Sequence, residues 1–92
     1  MISRAATVTN RLGLHARAAA RFVHLASRFQ AQGRVTRGSQ TMDGKSIMGI
    51  LLLAAAAGSL LTVSADGVDE LAAVDALCRF IESGFGEDTC NA

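Results

Sequence analysis

Hydrophobic and polar residues alternate along four short stretches of the chain, and this alternation is typical of half-buried β-strands. Gly38-Ser39 lies between the second and third stretches, which indicates a hairpin there. The predicted strands are Ile2–Val8, Arg34–Arg37, Gln40–Asp43 and Leu60–Ala65. The positions expected to face the interior are Ile2, Ala6, Val8, Val35, Met42, Leu61, Val63 and Ala65.

Apolar residues recur every three or four positions in the segments between the strands, as they do on the buried face of a helix. The predicted helices are Ala16–Phe29, Ser46–Leu53 and Asp69–Ser83. Gly33 ends the first helical region, Ser46 is the expected N-cap of the second helix, and Gly84 ends the third. Whether the second helix extends into the alanines that follow it stays open. The buried side chains are expected to be Ala19, Phe22, Val23, Ala26 and Phe29 in the first helix and Leu71, Val74, Leu77, Cys78 and Ile81 in the last.

The resulting order, βαββαβα, predicts an α+β fold. Four strands that are each apolar on one face cannot bury that face alone, so we expect an open-faced sandwich. In this arrangement three helices cover one face of a four-stranded, largely antiparallel sheet. The chain has 92 residues, half of them hydrophobic, which suffices for one small domain. We place this domain at residues 1–86 and expect residues 87–92 to form a frayed tail.

The formal net charge of +1 argues against nucleic acid or an anionic membrane as a general partner. The longest apolar stretch, residues 47–61, is interrupted by glycine and serine and is too short to span a bilayer, so no membrane insertion is expected. Two cysteines are fewer than a secreted chain of this size would usually carry, and the first residues lack the apolar core of a signal peptide. These features predict a reduced, cytoplasmic protein.

The most informative residue is a histidine that stands where a loop becomes a helix, in Gly13-Leu14-His15-Ala16-Arg17. The first N–H groups of a helix have no partner within it and carry partial positive charge. They favour a neutral imidazole beside them, and a phosphoryl group once one is bound. Ala16 and Arg17 then form a cradle for the phosphoryl oxygens. Because the imidazole adds a nucleophile, His15 is the candidate phosphoryl acceptor, although a histidine in this position alone is more often an ordinary polar residue.

A stripe of positive side chains follows on one face of the same helix and is called the basic stripe below. Its members are Arg17, Arg21, His24 and Arg28. Charged helix faces are commonly no more than solvated surface. This one has a single sign, however, because no acidic residue occurs between Arg4 and Asp43. Such a face would speed the encounter with partners that handle phosphate.

A second segment, Lys45-Ser46-Ile47-Met48-Gly49-Ile50-Leu51, is too apolar for a short helix to bury on every face. Core packing accounts for part of it. Side chains left partly exposed beside the basic stripe would form an apolar docking surface. The predicted docking residues are Arg17, Arg21, His24, Ile47, Met48 and Leu51.

The two motifs, at this separation and in this order of elements, resemble those of the histidine-containing phosphocarrier family, HPr, of the phosphoenolpyruvate-dependent phosphotransferase system. The resemblance extends from Ile2 to about Gly86. It implies the fold described above and a phosphoryl group that Nδ1 of His15 receives from phospho-enzyme I and passes to enzyme IIA domains. Arg17 would stabilise that group. The resemblance further implies a stoichiometric carrier that acts as a monomer, needs no cofactor or metal, and is not itself an enzyme.

The resemblance also implies that Ser46 is the target of an ATP-dependent HPr kinase/phosphorylase. A phosphate there adds about −1.5 to −2 charges beside the apolar segment, and we expect it to weaken partner binding without unfolding the helix. The chain departs from the family at Ala18, where proline is usual. Alanine should leave the site slightly looser and change stability by less than about 1 kcal/mol, with the phosphoacceptor chemistry retained.

Other interpretations are weaker. The nearest is a nitrogen-related regulatory phosphocarrier of the same family, because residues 83–88 resemble the ending of such carriers. These carriers generally lack a well-matched Lys-Ser-Ile-Met-Gly segment, however, and this chain has one. A small RNA-binding module would stack bases on strand aromatics, whereas this chain has neither Tyr nor Trp. A metal site is disfavoured because His15 and His24 fall on different helix faces with no cysteine nearby. A hydrolytic triad would need an acid placed to orient His15.

Overall fold

Four strands and three helices follow one another in the computed structural model, which describes residues 1–86. They are β1 (Ile2–Thr7), α1 (Ala16–Ala26), β2 (Gln32–Arg37), β3 (Gln40–Asp43), α2 (Ile47–Leu52), β4 (Leu60–Asp66) and α3 (Glu70–Glu82). The predicted order βαββαβα is confirmed. The predicted tail, residues 87–92, lies outside the described residues.

The strands form one antiparallel sheet in the order β1-β4-β2-β3. Alternation along each strand turns one set of side chains towards the helices, and the register places buried residues side by side, as with Val35 and Val63. The other face is polar and open. Its hydroxyl groups pair across strands, as between Ser3 and Ser64 at 2.9 Å. The predicted open-faced sandwich is therefore confirmed.

The helices cover the apolar face of the sheet and share one core with it. α1 contributes Ala18, Ala19, Phe22 and Ala26, and α3 contributes Ala73, Val74, Leu77, Cys78 and Ile81. Side chains that pack against this core while partly exposed include Ile2, Val23, Phe29 and Met42. The prediction that Leu71 is buried is wrong, because 61% of this residue is exposed. Helical periodicity extends the buried face into the first turn of α3, whereas the core begins only at Ala73.

α1 ends at Ala26, before the predicted end at Phe29. The N–H groups of Arg28 and Phe29 donate to carbonyl groups three residues back, at 3.1 and 3.2 Å, which tightens the last turn and stops the helix. Gly33, predicted to end this helical region, is instead a buried residue within β2. The chain between α1 and β2 is therefore irregular, and hydrogen bonds to the start of α3 fix its position.

The residue that holds this segment is Asp69, which precedes α3. Its carboxylate accepts the N–H groups of Gln30 and Ala31 at 2.9 and 2.8 Å. The hydrogen bond from Gln30 is the main cause that lowers the pKa of this carboxyl below its ordinary value of 3.8. Because the pKa is lower in the folded protein, the ionised carboxylate stabilises the fold at pH values above the ordinary pKa. This stabilisation is lost as the pH falls through the folded-state pKa.

Asp69→Asn should therefore lower the midpoint of thermal unfolding at neutral pH, since an amide has only one oxygen to accept the two N–H groups. The difference from the wild type should shrink below about pH 3.8. Thermal unfolding followed by circular dichroism, from neutral to strongly acidic pH, measures both effects. Asp66→Asn, at an exposed carboxylate that ends β4, controls for the loss of one charge. Equal midpoints for the two variants at neutral pH would contradict this role for Asp69.

Candidate functional site

His15 is the N-cap of α1, with an extended backbone (φ −90°, ψ 179°) that leads into the first helical turn. Its ring nitrogen Nδ1 accepts the N–H of Ala18 at 3.5 Å, and its carbonyl accepts the N–H of Ala19 at 2.8 Å. The residue is half-buried, so the ring is neither enclosed in the core nor turned fully into solvent. A nitrogen that accepts a hydrogen bond carries a lone pair, which places the proton of a neutral ring on Nε2. The imidazole thus lies at the helix N-terminus, where the sequence predicts it.

Gly13 makes the turn that brings His15 to this position. Its φ of +67° lies in the left-handed region, which glycine adopts without a steric penalty. The carbonyl of Gly13 accepts the backbone N–H of His15 at 3.1 Å and a side-chain N–H of Asn10 at 2.8 Å. Asn10 is fully buried beneath the turn. The burial of Asn10 is not predictable from the sequence, because an asparagine in a loop between a strand and a helix gives no sign of it.

The loop after α2 packs against the same turn. The carbonyl of Ala55 accepts the N–H of Leu14 at 2.8 Å, and a Cβ added to Gly13 would lie 2.5 Å from that carbonyl oxygen. Ala54 has a φ of +50°, a left-handed conformation that alanine rarely adopts. The alanines after Leu52 therefore do not extend α2. They form a tight loop that fixes the start of α1.

The first turn of α1 carries no acidic side chain of its own, and Ala16 and Arg17 at its first two positions are exposed. Their N–H groups belong to the donors that have no acceptor within a helix, and the helix dipole adds about half a positive charge there. The guanidinium of Arg17 adds a full positive charge in the same turn. This combination can bind an anion and can hold the oxygens of a phosphoryl group beside Nδ1 of His15.

The basic stripe runs along α1, except that Arg28 lies in the turn after it, and all four of its residues are exposed. Arg21 also donates a hydrogen bond to the carbonyl of Phe85 at 3.4 Å, so it links α1 to the segment after α3. A groove of about 280 Å³ runs beside the stripe, and its lining consists of Arg21, His24, Leu25, Arg28 and Phe80. The groove is not predictable from the sequence, because Leu25 and Phe80 come together only through the packing of α1 against α3.

Ser46 is the N-cap of α2, as predicted, and its Oγ accepts the N–H of Gly49 at 3.1 Å. Ile47 and Met48 follow with 45% and 69% of their surface exposed, whereas Leu51 is only partly exposed. Leu52, which the sequence analysis did not single out, is exposed as well. Because α2 packs against α1, this apolar patch adjoins the helix that carries the basic stripe. The apolar patch comprises Ile47, Met48, Leu51 and Leu52.

A family model described as the PTS HPr component phosphorylation site matches residues 2–83 of the chain. The chain belongs to the HPr family. HPr proteins are phosphocarriers of the phosphotransferase system, and family membership assigns that role to this chain in place of a catalytic one.

Individual relatives agree with the HPr assignment. The phosphocarrier protein HPr of Cupriavidus necator is 47% identical over 87 residues, which cover 95% of this chain and 98% of that protein. The phosphocarrier protein NPr of Shewanella violacea is 37% identical over 86 residues, which cover 94% of this chain and 94% of that protein. The crystal structure of HPr-C-His from Thermoanaerobacter tengcongensis matches with a TM-score of 0.89 and 43% identity, over 96% of this chain and 99% of that one.

The HPr fold brings some of the predicted site residues together and separates others. His15 and Arg17 share the start of α1, and Ser46 starts the helix that packs against α1. Arg28 lies in the turn after the end of α1, at the opposite end of the helix from His15, so it does not belong to the surroundings of the imidazole. Within residues 1–86, no helix combines the length and the apolar character needed to cross a membrane.

Proposed function

We propose that the chain carries a phosphoryl group on Nδ1 of His15, which it receives from phospho-enzyme I and passes to an enzyme IIA acceptor. The observation that carries this proposal is the position of Nδ1, which bears a lone pair above the first turn of α1 and accepts the N–H of Ala18 there. A lone pair on an sp² nitrogen is the nucleophile that phosphoryl transfer needs.

The transfer step needs no proton to move. The lone pair of Nδ1 forms the new N–P bond, and the bond between phosphorus and the donor atom breaks with its electron pair returning to the donor. The proton on Nε2 stays in place. The N–H groups of Ala16 and Arg17 and the Arg17 guanidinium stabilise the phosphoryl oxygens, because charge-assisted hydrogen bonds to an anion are strong and the arginine can bind two oxygens at once.

The exposed surface around the imidazole would bind the partner proteins. Arg17, Arg21 and His24 would attract an acidic surface of enzyme I or of enzyme IIA, and the apolar patch would pack against the same partner. The predicted docking residues Ile47, Met48 and Leu51 all belong to this patch. The protein would act as a monomeric cytoplasmic carrier without a cofactor, and neither nucleic acid nor a membrane would be among its partners.

Incubation with phosphoenolpyruvate and catalytic amounts of enzyme I tests the proposal. Intact-mass analysis should show one added phosphoryl group, and this group should be lost in mild acid and retained in alkali, as expected of a phosphohistidine. After phosphoenolpyruvate and enzyme I are removed, addition of an excess of an enzyme IIA domain should return the chain to its starting mass. A chain that gains no mass, or an added group that survives mild acid, would overturn the proposal.

Phosphorylation of Ser46 by an HPr kinase would regulate this exchange. Ser46 precedes Ile47 and Met48 directly, so a phosphate on its Oγ would place about two negative charges at the edge of the apolar patch. An acidic partner that docks there would be repelled, and the phosphate would lose hydration when the partner covers it. The helix itself tolerates the charge, because anions are favourable at a helix N-terminus.

Ser46→Asp should therefore slow phosphoryl transfer from enzyme I by about tenfold, a change of about 1.4 kcal/mol, chiefly through a higher half-saturating concentration of the carrier. Aspartate caps a helix as well as serine does, so the fold should stay intact. Initial rates at several carrier concentrations measure the effect. Ser46→Asn, which caps without a charge, is the matched control and should transfer at the wild-type rate. Unchanged kinetics of Ser46→Asp would refute the regulatory role.

A nitrogen-related regulatory carrier is the second candidate, and the relationship to NPr of Shewanella violacea favours it. Both candidates use His15 in the same way and differ in their partners. Competition between the enzyme I of a sugar uptake system and that of a nitrogen-related system, at equal concentrations, would distinguish them. Faster transfer from the sugar system supports the first candidate, and faster transfer from the nitrogen-related system supports the second.

A further inference from the structure

We infer that the backbone N–H of Ala18 is a working part of the phosphoryl site, an inference that rests on the proposed function. In the unphosphorylated protein this N–H holds Nδ1 of His15, and after phosphorylation it donates to a phosphoryl oxygen instead. The chain thereby gains a donor that a proline at this position could not supply, because proline has no N–H.

The position of Ala18 supports the first half of this inference. Ala18 is the third residue of α1, and its N–H is one of the four that a helix leaves without an internal acceptor. The side chain of Ala18 is completely buried, so the residue is fixed by the core and its N–H keeps its direction. The N–H points at Nδ1 across 3.5 Å, near the upper limit for a hydrogen bond. The contact therefore orients the ring and costs little to break.

The chemistry of the transfer supports the second half. The lone pair that accepts the N–H of Ala18 is the same lone pair that must attack phosphorus, so the hydrogen bond has to open during the reaction. Once the N–P bond has formed, Nδ1 has no lone pair left to offer, and the N–H of Ala18 faces an atom that carries three anionic oxygens. A charge-assisted bond to one of them replaces a long bond between neutral groups. The proton of Ala18 stays on its nitrogen throughout.

This exchange favours the phosphorylated state over the unphosphorylated one. The added donor should lower the tendency of the chain to give its phosphoryl group away, compared with a chain that has proline in this place. The expected effect is a threefold to tenfold shift in the partition of phosphoryl groups, since a charge-assisted bond is about twice as strong as a neutral one.

Ala18→Pro removes the N–H and is compatible with a first helical turn, where that N–H has no helical partner to lose. Ala20→Gly, at an exposed position of the same helix, loosens the helix while it leaves the N–H of Ala18 in place and is the control. Each variant is mixed with phosphorylated wild-type chain and a trace of enzyme I, and the phosphoryl distribution at equilibrium is read by mass spectrometry. We expect Ala18→Pro to hold three to ten times less than the wild type, and Ala20→Gly to hold a nearly equal share. Equal partition into Ala18→Pro, or an equal loss in Ala20→Gly, would overturn the inference.

A second measurement needs no variant. In the wild-type chain, the amide proton of Ala18 should shift downfield and exchange more slowly with solvent when His15 is phosphorylated, because it exchanges a weak acceptor for an anionic one. An Ala18 amide that is unaffected by phosphorylation would contradict the inference even if Ala18→Pro failed to fold. If the wild type accepts no phosphoryl group at all, the proposed function fails and not merely the role of Ala18.

Discussion

Replacing His15 with alanine should abolish phosphoryl acceptance completely, and not merely slow it. The nucleophilic nitrogen is removed, and the other histidine of α1 cannot take its place. His24 lies nine residues further along the helix, about 14 Å from His15 along the axis and far from the free N–H groups of the first turn. Intact-mass analysis after incubation with phosphoenolpyruvate and enzyme I measures the effect.

The control for this experiment must separate the loss of the nucleophile from the loss of the helix cap. His15→Ala removes both, although the cap hydrogen bond is long at 3.5 Å and its loss alone should cost little stability. His15→Asn keeps a good capping side chain while it removes the nucleophile, so it should be as inactive as His15→Ala and more stable. Arg34→Ala, on the open face of the sheet, should accept the phosphoryl group at the wild-type rate. An acid-labile label on His15→Asn would show that the acceptor is another residue.

Gly13→Ala should cause a large loss of stability and should impair transfer as well. Two costs combine at this position. A φ of +67° is unfavourable for any residue with a Cβ, and the new Cβ would overlap the carbonyl oxygen of Ala55 at 2.5 Å. Left-handed strain costs about 1–2 kcal/mol and overpacking about 1–3 kcal/mol, so a total of roughly 3 kcal/mol is expected.

Gly38→Ala is the matched control for Gly13→Ala. Gly38 has a similar φ of +60°, but a Cβ there would meet no atom within 4 Å. It should therefore lose only the conformational part, about 1–2 kcal/mol, and keep its full transfer rate. Gly13→Ala must push away the loop that holds Leu14, which displaces the imidazole and should slow transfer by about tenfold or more. Urea unfolding and transfer rates measure the two effects. Equal unfolding free energies for the two variants would contradict the close approach of Ala55.

Much of the fold is predictable because local pattern and tertiary packing agree along the strands. Leu61, Val63 and Ala65 alternate with polar residues and are all buried, so the face that the pattern marks as apolar is the face that the helices cover. The caps are predictable for a similar reason. Ser46 satisfies an N–H three residues further on within its own segment, and the signal for that contact lies in the sequence itself.

The wrong predictions fall where a distant residue decides the outcome. The periodicity of α1 continues to Phe29, but the tightened last turn and the hold of Asp69 on the following chain end the helix at Ala26. The burial predicted for Leu71 fails because periodicity carries no information on where the core ends.

The candidate site shows the same limit. The sequence places the imidazole at a helix N-terminus, but it gives no sign that the Ala55 carbonyl binds Leu14. Nor does it show that Nδ1, and not Nε2, faces the N–H of Ala18. The first contact depends on the exact position of the loop after α2, in which Ala54 adopts a left-handed conformation that its residue type disfavours. Such a conformation has to be observed in a structure.

Nuclear magnetic resonance of the chain with ¹⁵N-labelled histidine tests the central claim most directly. Before phosphorylation, His15 should carry a proton on Nε2 and none on Nδ1. After incubation with phosphoenolpyruvate and enzyme I, the ³¹P nucleus should couple to Nδ1 of His15. Coupling to Nε2, or a phosphoryl group on any other residue, would contradict the account.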